Sequence, residues 1–156
     1  MAPNAFRKFL RLPSDERRLL VRTLLTLAAA RVAIWLLPFR VVRRLITPRP
    51  RADVASGITR ERVRWAVGVA QRVIPDATCL PQAVTAESLL TRGGHPVKLR
   101  IGVMKSPAGK LEAHAWAESD GQIIVGDLPW GLGEYTHLPP LPSVWPDSSA
   151  GRAPLE

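Results

Sequence analysis

The chain contains a single cysteine, Cys79 in TCLPQ, and three histidines, His95, His114 and His137. A thiol does acyl chemistry only when a base takes its proton and a third group orients that base. The spacing around Cys79 places it at the start of a helix, with Thr78 as N-cap, Cys79 as the first helical residue and Pro81 still inside the first turn, where its missing N–H does no harm. TRGG supplies the C-terminal stop, at Gly93 or Gly94. A helix start presents open N–H groups and the positive end of the dipole, which favour a thiolate and can hold an oxyanion. Position alone does not make a nucleophile, because a lone cysteine is commonly a small packed hydrophobe.

Of the histidines, His95 precedes a proline in a turn and His137 lies in a proline-rich tail, so neither is on a rigid element. His114 sits in LEAHAWAESDGQIIVGD, where Leu111, Ala113, Ala115 and Ala117 alternate with Glu112, His114, Trp116 and Glu118. Asp120-Gly121 is a hairpin turn signal. A two-residue loop pairs Ser119 with Gln122 and so sets Asp127 directly across from His114, at a Cβ separation of about 4.5–5.5 Å. A four-residue loop keeps that register and a three-residue loop shifts it by one. Asp120, in the turn itself, is too far along the strand to orient His114. Cys79, His114 and Asp127 therefore read as nucleophile, base and orienter. The competing readings are an edge-strand histidine satisfied by a neighbour, and a zinc site from the same three residues, for which no C-x-x-C or H-E-x-x-H spacing exists. No cofactor is expected.

The elements that must position these groups follow from caps and periodicity. Ser14 with Asp15 and Glu16 marks a helix start, and one long helix, or two broken at Pro38, runs to about residue 46. TPRPRADVASG, residues 47–57, is a linker by composition. Thr59 caps a further helix that places Val63, Val67, Ala70 and Ile74 on one face and its arginines on the other, with Pro75 as the stop. The expected organisation is an N-terminal helical region over 1–50, a catalytic core over 58–130 and a proline-rich irregular tail over 131–156, its last ten residues disordered.

A length of 156 residues suits one domain. The net charge of +9 favours acidic partners, and most of the 22 lysines and arginines lie before residue 73, away from the candidate chemistry. That arginine-rich, apolar half offers a surface complementary to an acidic or amphipathic partner. Nucleic acid is not expected, for there is neither a helix-turn-helix signature nor aromatic interleaving of the basic residues. One cysteine excludes an internal disulfide framework, and the N-terminus lacks the pattern of a signal peptide, so the expectation is a cytoplasmic protein. TLLTLAAARVAIWLLPF, residues 23–39, is apolar but carries Arg31 at its middle and is short for a span, so it reads as a buried or docking helix, with the membrane the weaker reading.

TCLPQAVTAESLLTRGGHPVKLRIGV followed by EAHAWAESDGQIIVGD resembles the transglutaminase-like cysteine peptidases of lasso-peptide biosynthesis, which remove the leader from the precursor. The arginine-rich segment ending LLPFRVVRRL is similar to that family too. The resemblance covers roughly residues 6–130. It implies an α+β, papain-like core in which a cysteine-bearing helix packs on a small antiparallel sheet, and a triad carried by Cys79, His114 and Asp127. Where many members carry a basic residue three positions after the cysteine, this chain has Gln82. Gln82, Trp116 and Trp130 are the candidate cleft residues, with a core aromatic the stronger reading of Trp116. The chain resembles the split form without a precursor-recognition domain, so the implied partners are the leader peptide, a separate precursor-recognition protein and the lasso cyclase. A transglutaminase or amidase with the same triad, and a non-enzymatic basic adaptor, are the alternatives.

Overall fold

A computed structural model describes residues 7, 9–49, 57–106, 108–129, 131–139, 141–142 and 144. Helices α1 (Ser14–Leu36), α2 (Phe39–Ile46), α3 (Arg60–Ala70) and α4 (Cys79–Arg92) precede strands β1 (Lys98–Lys105), β2 (Leu111–Ser119), β3 (Gln122–Val125) and β4 (Thr136–His137). The strands form one antiparallel sheet in the order β3-β2-β1-β4, giving the α+β architecture. The expected linker and the expected disordered end fall largely or wholly outside the described residues.

Local chemistry explains the boundaries. Pro38 forces the preceding Leu37 into an extended conformation (φ −128°, ψ 151°), which separates α1 from α2. At the start of α1 the cap position is occupied by Pro13, with Ser14 already helical, a shift of one residue from expectation. Thr59 caps α3 as expected, its side chain accepting from the Arg62 N–H at 3.3 Å. The α3 helix stops at Ala70, before Pro75, and a turn carries the chain through Ile74. Asp120 (φ 48°) and Gly121 (φ 76°) both take the left-handed conformation that a two-residue hairpin requires.

Packing sorts the sheet into two faces. Ala115 and Ala117 of β2 enter the clusters beneath the helices: Ala117 with Leu19, Val63, Val67, Leu89 and Leu90, and Ala115 with Ala30, Ala83, Val84 and Leu99. Leucines buried to this degree contribute roughly 1.5–3 kcal/mol each. Because α1 supplies Leu19 and Ala30 to these clusters, it is part of the layer that supports α4. Trp116 turns to the other face with Leu132 and Tyr135. These last two residues and strand β4 show that the start of the expected irregular tail is ordered: His137 and Thr136 pair with Gly102 and Val103.

A buried ion pair joins α2 to α4. Arg43 donates through Nε and Nη2 to the two carboxylate oxygens of Glu87, and through Nη1 to the Pro142 carbonyl at 3.1 Å. The Thr47 hydroxyl lies 3.5 Å from the same carboxylate, and Ser88 donates to the Ile46 carbonyl at 2.8 Å.

Candidate active site

Cys79 is the first residue of α4, and Thr78 is its N-cap (φ −65°, ψ 176°), although the threonine side chain makes no capping bond. The approach is fixed instead by the main chain: Asp76 adopts φ 53°, and the Thr78 N–H donates to the Asp76 carbonyl at 2.8 Å. Gln82 donates from its side-chain amide to the Ala77 carbonyl, so it braces the segment that delivers the cysteine. Pro81 has no N–H to give. Among the described residues, no protein acceptor takes the N–H of Cys79 or Leu80. The thiol is half-buried, against the cluster that contains Ala115, the residue after His114.

His114, half-buried on β2, places Nε2 2.7 Å from the main-chain oxygen of Gly126. A carbonyl can only accept, so Nε2 carries the proton, and in the neutral ring Nδ1 carries the lone pair. The ring stacks with Trp116 (centroids 6.4 Å, 17° between planes) and lies 5.7 Å from Tyr135. Gly102, directly opposite His114 on β1, makes room for this group, since a Cβ there would fall 2.9 Å from the Tyr135 Cβ and 3.1 Å from the Trp116 ring.

The expected opposition of Asp127 to His114 is not formed. The hairpin begins in the expected register, with Ser119 opposite Gln122, but a bulge between Ala117 and Glu118 makes Val125 the partner of Ala117. The strand then ends, and Gly126 turns with φ 94°. Asp127 is exposed and makes no hydrogen bond to the imidazole among the described residues. The group that orients His114 is thus the carbonyl of the preceding residue. Gly126 was not singled out by sequence reasoning, although IVGD carried a signal in the glycine that ends an apolar strand beside an acid.

Trp116, for which a core role is the stronger reading and a cleft wall the weaker, is 2% exposed and serves as a core aromatic between His114 and His137. His137, set aside as part of the tail, is exposed on β4, and its ring meets Trp116 edge-on at 5.0 Å. His95 has a structural role, its Nε2 lying 2.7 Å from the Ile58 carbonyl. Trp130 lies outside the described residues. Cys79 and His114 are not hydrogen-bonded to each other, and among the described residues no three metal-ligating side chains converge. The zinc reading of Cys79, His114 and Asp127 therefore has no geometric support, and the thiol and imidazole are not brought together either: Cys79 packs on the Ala115 face of the sheet, whereas His114 shares the opposite face with Trp116 and Tyr135.

A helix-borne cysteine beside a histidine-bearing strand is the arrangement of papain-like acyl-transfer folds. Residues 23–139 match the Transglutaminase-like superfamily, and the chain belongs to it. Activities of the cysteine peptidase and acyltransferase type are usual in that superfamily. No curated protein and no solved structure matches the chain.

Proposed function

We propose that the chain is a cysteine peptidase that removes the leader from a lasso-peptide precursor, with Cys79 as nucleophile, His114 as base and Asp127 as the acid that supplies charge beside it. The observation that carries the reading is the position of Cys79, at the start of α4 with two main-chain N–H groups open beside it. The step requires that substrate binding bring the thiol and imidazole together; Nδ1 of His114 then takes the thiol proton, and the thiolate attacks the carbonyl at the end of the leader. The N–H groups of Cys79 and Leu80 are the donors assigned to the oxyanion. The imidazolium returns its proton to the leaving amine, giving a thioester that water hydrolyses to free the leader carboxylate and the thiol. Asp127, next in the chain to the carbonyl that holds Nε2, stabilises the imidazolium electrostatically.

A separate precursor-recognition protein supplies the grip on the leader, and the lasso cyclase takes the freed core peptide. Cleavage of precursor by this chain alone is then slow and rises strongly when the recognition protein is added. The test is mass spectrometry of precursor incubated with both proteins, using wild type and Cys79→Ala, with a primary amine as competing acceptor. Leader release by wild type and none by Cys79→Ala is expected. Full release by Cys79→Ala ends the cysteine-peptidase reading, and amide formation with the added amine in place of hydrolysis assigns the chain to the transglutaminases.

A further inference from the structure

Helix α1 is apolar on two opposite faces, and the fold buries only one of them. Leu19, Leu20, Thr23, Leu27 and Ala30 face the protein. Val21, Leu25, Val32, Trp35 and Leu36 are exposed, Leu25 to 67% and Trp35 to 87%. At 3.6 residues per turn these five fall within an arc of roughly 120°, opposite the buried stripe. Val41 and Leu45 of α2 are exposed as well. An apolar face of this extent on a soluble domain marks a surface that something covers.

The charges around it identify the covering surface. From Arg17 to Ala52 the sequence contains no acidic residue, while Arg17, Arg18 and Arg22 open the exposed face and Arg40 follows its Trp35 end. A second copy of the chain docked face to face would set arginine against arginine, which opposes that pairing. An exposed tryptophan beside arginines, at the end of an apolar stripe, is the composition of a helix lying in a lipid interface. A span is a different matter. Although α1 is long and apolar enough by length and composition, its other face is part of the protein core, and Arg31 at its middle bonds to the Pro75 carbonyl and Asp76.

We infer that the exposed face of α1, extended by Val41 and Leu45, docks this protein flat on an anionic lipid bilayer, Trp35 entering the interface and Arg18, Arg22 and Arg40 meeting the headgroups. Depth of insertion is limited to side chains, because the helix axis stays fixed to α3 and α4. The assignment is independent of the chemistry at Cys79.

Co-flotation of the full chain with vesicles tests it, comparing pure phosphatidylcholine with phosphatidylcholine containing phosphatidylglycerol. Binding is expected only to the anionic vesicles and is expected to weaken with added salt. Trp35→Ala and Leu25→Gln should each weaken it by about tenfold or more, as should the combined Arg18→Gln, Arg22→Gln and Arg40→Gln variant. All these positions are on the surface, so circular dichroism should be unchanged. Arg72→Gln with Lys110→Gln, two charges removed elsewhere, should bind as wild type. The inference is overturned if wild type does not float with anionic vesicles at low salt, if Trp35→Ala and Leu25→Gln float as wild type, or if the remote pair lowers binding as much as the helix arginines. Self-association that Leu25→Gln abolishes, without vesicle binding, would assign the face to a second copy and equally overturn it.

Discussion

His114 donates from Nε2 to the main-chain oxygen of Gly126 at 2.7 Å, so a backbone atom sets the tautomer of the proposed base. A carbonyl held by the chain on both sides cannot rotate away as a side chain can. It also brings no negative charge, and the charge that stabilises an imidazolium must come from a neighbour, for which Asp127 is the adjacent acid.

Gly126→Ala should remove this arrangement. A Cβ would fall 2.7 Å from both the Ala115 carbonyl oxygen and the Trp116 Cβ, and φ 94° is strained for any other residue. Strain alone costs about 1–3 kcal/mol, and the overlap with backbone adds to it. Urea denaturation should show the loss of stability, and nitrogen NMR of His114 should show the loss of the fixed tautomer.

Asp127→Asn keeps the shape of the side chain and removes its charge. Because Asp127 is exposed and the Gly126 carbonyl already fixes the tautomer, only a through-space charge is lost, and leader cleavage should fall by about tenfold or less. Asp120→Asn should leave cleavage intact, since Asp120 is in the turn and pairs with Arg60 at the surface. Loss of that exposed pair should cost less than about 1 kcal/mol. Sensitivity at Asp120 rather than Asp127 would reverse the assignment.

Glu87→Ala would leave the Arg43 guanidinium buried without its counter-charge, because the two side chains are only 5% and 8% exposed. A destabilisation of about 3–5 kcal/mol is expected from chemical denaturation. The double replacement Arg43→Met with Glu87→Leu should recover most of it, since it removes both buried charges together.

Thr59→Ala should destabilise the protein by about 1 kcal/mol through loss of the α3 cap. Glu61, in the same turn, is held below the usual carboxylate range by hydrogen bonds from its own backbone N–H and from the Thr59 hydroxyl. A lowered folded value means that its contribution is present above the ordinary glutamate range and is lost as pH falls. The stability difference between wild type and Thr59→Ala should therefore narrow on acidification, read from thermal melts across the acid range.

The helix starts, the break at Pro38 and the hairpin turn were legible because each depends on a few adjacent residues: Thr59 and Thr78 as caps, Pro38 as a breaker, Asp120-Gly121 with positive φ. The His114 contact was not legible, because one extra residue on β3, Ile124, opposite the Ala117–Glu118 step shifts the register beyond it by one, and no local composition marks that position. Strand β4 was missed for the opposite reason. Two residues are too short for periodicity, and their pairing with β1 depends on contacts made by Leu132 and Tyr135 across the sheet. The second apolar face of α1 was visible as hydrophobicity, but only the packing of Leu27 and Ala30 tells which half faces outward.

The Arg43 cluster ties together chain segments that leave the ribosome at very different times. Glu87 follows Arg43 by 44 residues and Pro142 by 99. At about 5–20 residues per second, the last acceptor is made roughly 5–20 s after the guanidinium. Until then one Arg43 N–H lacks its main-chain acceptor, so packing of α2 over α4 is weaker by about 1–3 kcal/mol. Nascent chains of this protein should accordingly stay sensitive to protease through most of their translation and become resistant in one late step.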